Sequence, residues 1–128
     1  FDTHAKQRNL HDRLLEQLAE AMSAFRRAMQ QIGCWEQVLV MTYSEFGRRP
    51  AENGSRGTDH GTAAPHFAMG GKVKGGLYGR QPSLQELQND DLKFSVDYRS
   101  LYATVGRRWW GLNKEFLDGG PFSALDFI

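Results

Sequence analysis

Five side chains of the types that hold divalent metal ions stand out by their placement: Asp2 with His4, Glu45 alone, and Asp59 with His60. A carboxylate offers a hard anionic oxygen and an imidazole offers a nitrogen, a set that suits zinc or manganese better than calcium. If Asp2-Thr3-His4 is extended, the two-residue spacing puts both ligand side chains on one face. Gly57 and Gly61 flank Asp59-His60 and let the backbone fold tightly around an ion. Each group also has an ordinary structural reading. Asp59 alone closes a turn, His60 alone bonds a loop carbonyl, and Asp-x-His alone is more often structural than metal-binding.

Cations follow the same pattern. Residues 44–80 carry six Arg or Lys (Arg48, Arg49, Arg56, Lys72, Lys74, Arg80) against three acids (Glu45, Glu52, Asp59). Arg48 and Arg49 directly follow Glu45-Phe46-Gly47, and an arginine fork beside metal ligands suits a phosphate or sulfate ester. The alternative is that these are solvated loop charges.

Positioning these groups requires a scaffold, and the periodicity supplies one. Leu14, Leu18, Met22, Phe25, Met29 and Ile32 recur at helical spacing, predicting an amphipathic helix over 10–32 that Gly33 stops, with Arg26 and Arg27 complementing its dipole. Val38 to Tyr43 is an almost wholly apolar run, predicting a strand covered on both faces, as in a parallel sheet. Helix, tight connection and buried strand read as half of a βαβ crossover, so the expected fold class is α/β. Glu45 then leaves the sheet at a strand's carboxyl end, where sites in such folds are found.

Beyond it the texture changes. Nine of the fourteen glycines lie between Gly47 and Gly79, marking a long loop segment broken by a short strand near 66–69 and a hairpin-like turn over 72–78. Ser83 to Glu86 fits a capping box on a short helix. Asp97 caps a second main helix with the stripe Tyr98, Leu101, Tyr102, Val105 and Trp109, weakened by Gly106 and ended by Gly111. The tail from Leu112 to Ile128 reads as an irregular apolar cover.

Composition bounds the rest. At 128 residues the chain is one domain, 40% apolar and 24% charged with a net charge of +1, which argues against bulk nucleic-acid binding. Its longest aliphatic run is far too short to cross a membrane. The single cysteine, Cys34, excludes an internal disulfide and reads as a buried small hydrophobe. Opening on Phe1-Asp2-Thr3-His4, the sequence reads as a fragment of a longer protein. Gly70-Gly71-Lys72 lacks the residues of a phosphate-binding P-loop, and Thr42 stands where a nucleophile elbow needs Gly.

Several blocks together carry a resemblance: Asp2-Thr3-His4, Ser44-Glu45-Phe46-Gly47-Arg48-Arg49, Gly57-Thr58-Asp59-His60-Gly61, the segment Gly70 to Gly79, and Asp97-Tyr98-Arg99-Ser100-Leu101-Tyr102. They resemble the C-terminal part of an uncharacterised bacterial family of exported, sulfatase-related, alkaline-phosphatase-like proteins. The resemblance covers nearly the whole chain and implies a C-terminal portion of a mainly parallel sheet with covering helices. It also implies a periplasmic or secreted location and metal ligands among Asp2, His4, Glu45, Asp59 and His60. Two registers remain open. In one, Asp59-His60 is the superfamily's Asp-His pair; in the other, favoured one, Ser44-Glu45-Phe46-Gly47 takes that place and Phe46 removes a ligand. His60 is a ligand in both.

The expected function is therefore the metal-binding part of a phosphate- or sulfate-ester hydrolase. No catalytic nucleophile is expected in this chain, and the fragment is expected to be inactive alone. Its expected partner is an anionic small-molecule ester, with neither nucleic acid nor membrane, and an exposed sheet edge is a route to homo-oligomers. The competing expectation is a non-catalytic secreted binding or assembly protein on the same scaffold.

Overall fold

A 25-residue helix, α1 (Gln7–Gln31), dominates the N-terminal part of the computed structural model, which describes residues 1–112 and 122–128. Its first N–H groups find no side-chain cap. Instead the carbonyls of Ser55 and Arg56 accept from Lys6 N (2.9 Å) and Gln7 N (3.0 Å), and Lys6 adopts a left-handed conformation (φ 45°) to make the turn. The loop around residues 53–57 thus caps α1 and draws residues 1–5 to itself. The expected stripe is present but only partly covered: Leu14, Leu18, Met22 and Met29 are half-buried, while Ile32 is 64% exposed. Arg26 and Arg27 fall short of the last turn, so they do not serve the dipole there.

After a 3₁₀ turn (Trp35–Gln37), four short strands follow: β1 (Leu39–Met41), β2 (Gly47–Arg48), β3 (His60–Gly61) and β4 (Ala68–Gly70). They form two antiparallel ribbons. β1 pairs with β4, Val40 opposite Met69, and β2 pairs with β3, Arg48 opposite His60. The chain therefore combines helices with small antiparallel sheets. The strand expected at 38–43 is shorter, half-buried rather than enclosed, and its partner among the described residues is antiparallel rather than parallel. Apolar content marks a strand's burial demand, whereas direction depends on which segment reaches its edge.

Further along, Ser83 Oγ accepts from Gln85 N (3.1 Å) and Glu86 N (3.2 Å), but no helix follows; the capping pattern closes a turn instead. The 72–78 segment forms no hairpin strands. The expected second helix is α2 (Tyr98–Thr104), capped by Asp97, whose carboxylate accepts from Arg99 N (2.9 Å) and grips the Arg99 guanidinium (2.9 and 2.7 Å). It runs into a π-helical turn (Val105–Trp109) containing Gly106, and Gly111 at φ 66° ends it. Trp109 carries Lys72 over its ring and is half-buried, while Trp110 is exposed.

Among the described residues the buried apolar side chains are few: Ala63, Ala103, Val105 and Phe127. Residues 122–128 close over them, and the rest of the expected cover, 113–121, lies outside the described residues. Thr104 Oγ1, fully buried, donates to Ser100 O (2.6 Å) and accepts from Leu125 N (2.7 Å). Phe127 is 4% exposed, and its carbonyl accepts from Lys74 N (2.8 Å). Cys34 is half-buried beside Ile32 O, less enclosed than a core cysteine. Among the described residues no helix is long and apolar enough to cross a membrane.

Candidate metal centre

The β2–β3 ribbon sorts the candidate residues by face. Arg48 and His60 stand opposite each other in the register, so their side chains share a face. Phe46, two residues before Arg48, joins them: its ring stacks on His60 with centroids 3.6 Å apart and planes 7° from parallel. The N-terminal segment lies against this face. There His60 Nε2–H donates to Asp2 Oδ1 at 2.8 Å, and His4 Nδ1 approaches the same oxygen at 3.4 Å. The two imidazoles lie 4.7 Å apart, centroid to centroid.

Asp2, His4 and His60 thus offer three ligand atoms all within 4.8 Å of one another, the one such group among the described residues. Two ligands each about 2.0–2.1 Å from a tetrahedral ion are separated by about 3.3 Å, and the contacts to Asp2 bracket that spacing. One carboxylate and two imidazoles suit zinc or manganese, and three protein ligands leave a position for water or substrate. All three side chains are exposed, so a ligand has direct access. The His60 hydrogen bond, with the nearby charges of His4, His60 and Arg48, holds the Asp2 carboxyl below its ordinary pKa, so it is an anion at neutral pH.

The other two expected ligands, Glu45 and Asp59, are not members of this three-residue group. Glu45 is exposed and outside the cluster. Asp59 accepts from Asn53 Nδ2 at 3.0 Å. The same Nδ2 donates to His4 O at 3.1 Å, and Asn53 Oδ1 accepts from Ser55 N (2.9 Å) and Gly57 N (3.0 Å). Asn53 therefore ties a ligand segment to the loop that caps α1. Gly57 packs so closely on the His4 carbonyl that a Cβ would collide with it.

Arg48 directs its donors inward: Nη1 to Thr58 O and Nη2 to Phe1 O, both at 2.7 Å, with Nη2 4.0 Å from Asp2 Oδ1. Arg49 is exposed and follows the end of β2, its backbone N–H donating to Asp59 O at 3.1 Å. The sequence reading assigned no role to Asn53 or Asp91. Asp91, 8% exposed, anchors the end of β3 by accepting from Thr62 N (2.9 Å) and Leu92 N (2.7 Å). The turn-forming run Asn53-Gly54-Ser55 was the available signal for the first; for Asp91, the run Asn89-Asp90-Asp91 signals a turn, which Gln88 and Asp91 close, but not the contact with Thr62.

A family model described as "Protein of unknown function (DUF1501)" matches residues 1–119, which include every residue of the cluster and its supports. The chain belongs to the DUF1501 family. No curated protein and no solved structure matches it. For this DUF1501 chain, the case for function therefore rests on the site's own geometry.

Proposed function

We propose that this chain is the metal-holding portion of a phosphate- or sulfate-ester hydrolase on an alkaline-phosphatase-like scaffold, acting outside the cytoplasm. The observation that carries this reading is the convergence of Asp2, His4 and His60, whose ligand atoms lie within 4.8 Å of one another with Arg48 beside them. Three ligands favour one ion, zinc or manganese, and Asp59 joins it indirectly through Asn53, which also holds the His4 carbonyl. The bound ion would polarise an ester oxygen and stabilise charge on the transferring group. The chain's own residues do the rest. Asp2 supplies the anionic ligand, His4 and His60 supply imidazole nitrogens, and the Arg48 charge favours an anion at this face.

Three hydroxyls near the site are engaged, Ser44 donating to Phe46 O (2.7 Å), Thr58 to Gln7 Oε1 (3.0 Å) and Thr62 to Leu92 O (2.7 Å), and the hydroxyl oxygen of Thr3, between two of the ligands, is buried. This supports a nucleophile supplied by residues beyond these 128, leaving the chain inactive by itself. In the scaffold we propose, further parallel strands lie beside β1, whose second edge is unpaired among the described residues. The exposure of all three ligands favours a second reading, a binding protein that keeps the metal without turnover.

Calorimetric titration with zinc and manganese, on the wild-type chain and on His60→Ala, tests the site. Stoichiometric binding that falls more than about 100-fold in the variant is expected, since even outer-shell changes cost about 10–100-fold. Wild-type protein that takes up neither ion overturns the metal centre. Turnover of an aryl phosphate or sulfate by the isolated chain would contradict the external nucleophile.

A further inference from the structure

Arg48 makes contacts that a simple anion clamp would leave free. One terminal nitrogen holds the carbonyl of Phe1, the residue before the ligand Asp2, and the other holds the carbonyl of Thr58, two residues before the ligand His60. Its guanidinium carbon lies 5.2 Å from the centre of the Phe46 ring, whose other neighbour is the His60 imidazole at 3.6 Å. Arg48 therefore fastens both ligand-bearing segments by their backbones, and Phe46 links its cation to the imidazole plane. Neither residue has an atom that binds a metal ion. The sequence offers Arg48 as a substrate cation and Phe46 as a lost ligand; their contacts give them another task.

We propose that Arg48 and Phe46 are positioning residues that pre-form the metal centre: Arg48 sets the distance between the Asp2 and His60 segments, and Phe46 fixes the orientation of the His60 ring. This rests on the metal reading above. A planar guanidinium with two separate terminal donors spans two carbonyls that one ammonium cannot hold in the same way, so Lys is not an equivalent replacement. A flat aromatic ring restrains the rotation of an imidazole stacked on it at 7°, whereas a branched aliphatic side chain of similar bulk provides no such plane. A site held in place before the ion arrives avoids the ordering cost on binding, and supports of this kind are worth about 10–100-fold in metal affinity.

The test compares wild-type chain, Arg48→Lys and Phe46→Leu by two readouts. The first is the imidazole ¹⁵N resonances of His60 in metal-free protein, assigned by their loss in His60→Ala. Wild type is expected to show one tautomer, protonated at Nε2 and bonded to Asp2, and both variants are expected to move toward the averaged signals of a free imidazole. The second is titration with Co²⁺ followed by visible absorption. Both variants are expected to bind about 10–100-fold more weakly and with an altered spectrum, while far-UV circular dichroism stays that of wild type.

His60 resonances in both variants that coincide with wild type overturn the proposal. If Arg48→Lys loses its circular dichroism signal, Phe46→Leu decides by the same resonances. Absence of Co²⁺ binding by wild type would remove the metal reading, while the metal-free resonances would still decide whether Arg48 and Phe46 position His60.

Discussion

Phe46 lies flat on His60, 3.6 Å between ring centres, at the point where one ribbon of four residues meets the N-terminal segment. The contact places an aromatic ring with no metal-binding atom directly against the cluster of Asp2, His4 and His60. On the proposal above, it orders an imidazole that offers a ligand atom. The surrounding supports are also polar or conformational rather than apolar, which suits a structure with only four buried apolar residues among those described. Their individual contributions can be measured.

Asn53→Asp replaces a donor with an oxygen. The new carboxylate would face Asp59 Oδ1 and the His4 carbonyl, where the amide nitrogen now donates at 3.0 and 3.1 Å. Two hydrogen bonds become repulsive contacts. We expect about 2 kcal/mol lower stability in urea denaturation and about 10–100-fold weaker metal binding by calorimetry. Wild-type values on both would show that the His4 backbone needs no such tie.

Gly57→Ala places a methyl group against the His4 carbonyl. The ligand segment must retreat or the loop must open, and either response disturbs the capping of α1 by the carbonyls of Ser55 and Arg56. We expect a loss of about 2 kcal/mol, in the range of overpacked sites, together with weaker metal uptake. Thermal unfolding with and without zinc separates the two effects. A melting temperature equal to wild type would mean that the close approach is relieved without consequence.

Thr3 carries the opposite expectation. Its Oγ1 is buried without a hydrogen-bond partner, a defect that desolvates a hydroxyl for no return. Thr3→Val keeps the shape and removes the orphan. A gain of about 1 kcal/mol in chemical denaturation is expected. Destabilisation would show that the hydroxyl has a partner in solution.

Acid should weaken the α2 cap. The Arg99 side-chain hydrogen bond, aided by the Arg99 backbone N–H, lowers the Asp97 pKa from its ordinary value of 3.8. A depressed folded-state pKa means that the contribution is present above the unfolded pKa and is lost as pH falls through the folded one. Asp97→Ala is therefore expected to cost about 1 kcal/mol at neutral pH. The gap to wild type should shrink below about pH 4, as the carboxylate protonates. Parallel unfolding curves at pH 7 and pH 2.5 with an unchanged gap would assign the cap's value to something other than its charge.

Local pattern carried much of this molecule. The 3.6-residue stripe marked the long helix, Asp97 marked the start of α2, and residue types and spacing marked five metal-capable candidates, Asp2, His4, Glu45, Asp59 and His60, of which three cluster. Each of these follows from chemistry within a few residues of chain, where period and capping operate. Tertiary structure decided which candidates meet. Asp2 and His60 are 58 positions apart, and their contact depends on the β2–β3 register and on the loop that draws residues 1–5 to α1. Register also determined that Arg48 shares the His60 face. No local period encodes a partner segment, so the antiparallel pairing of β1 and the four hydrogen bonds of the Asn53 side chain emerged only in the folded chain. Arg48 shows the division most clearly: its charge is written in the sequence, but the two carbonyls it holds are brought together by the fold.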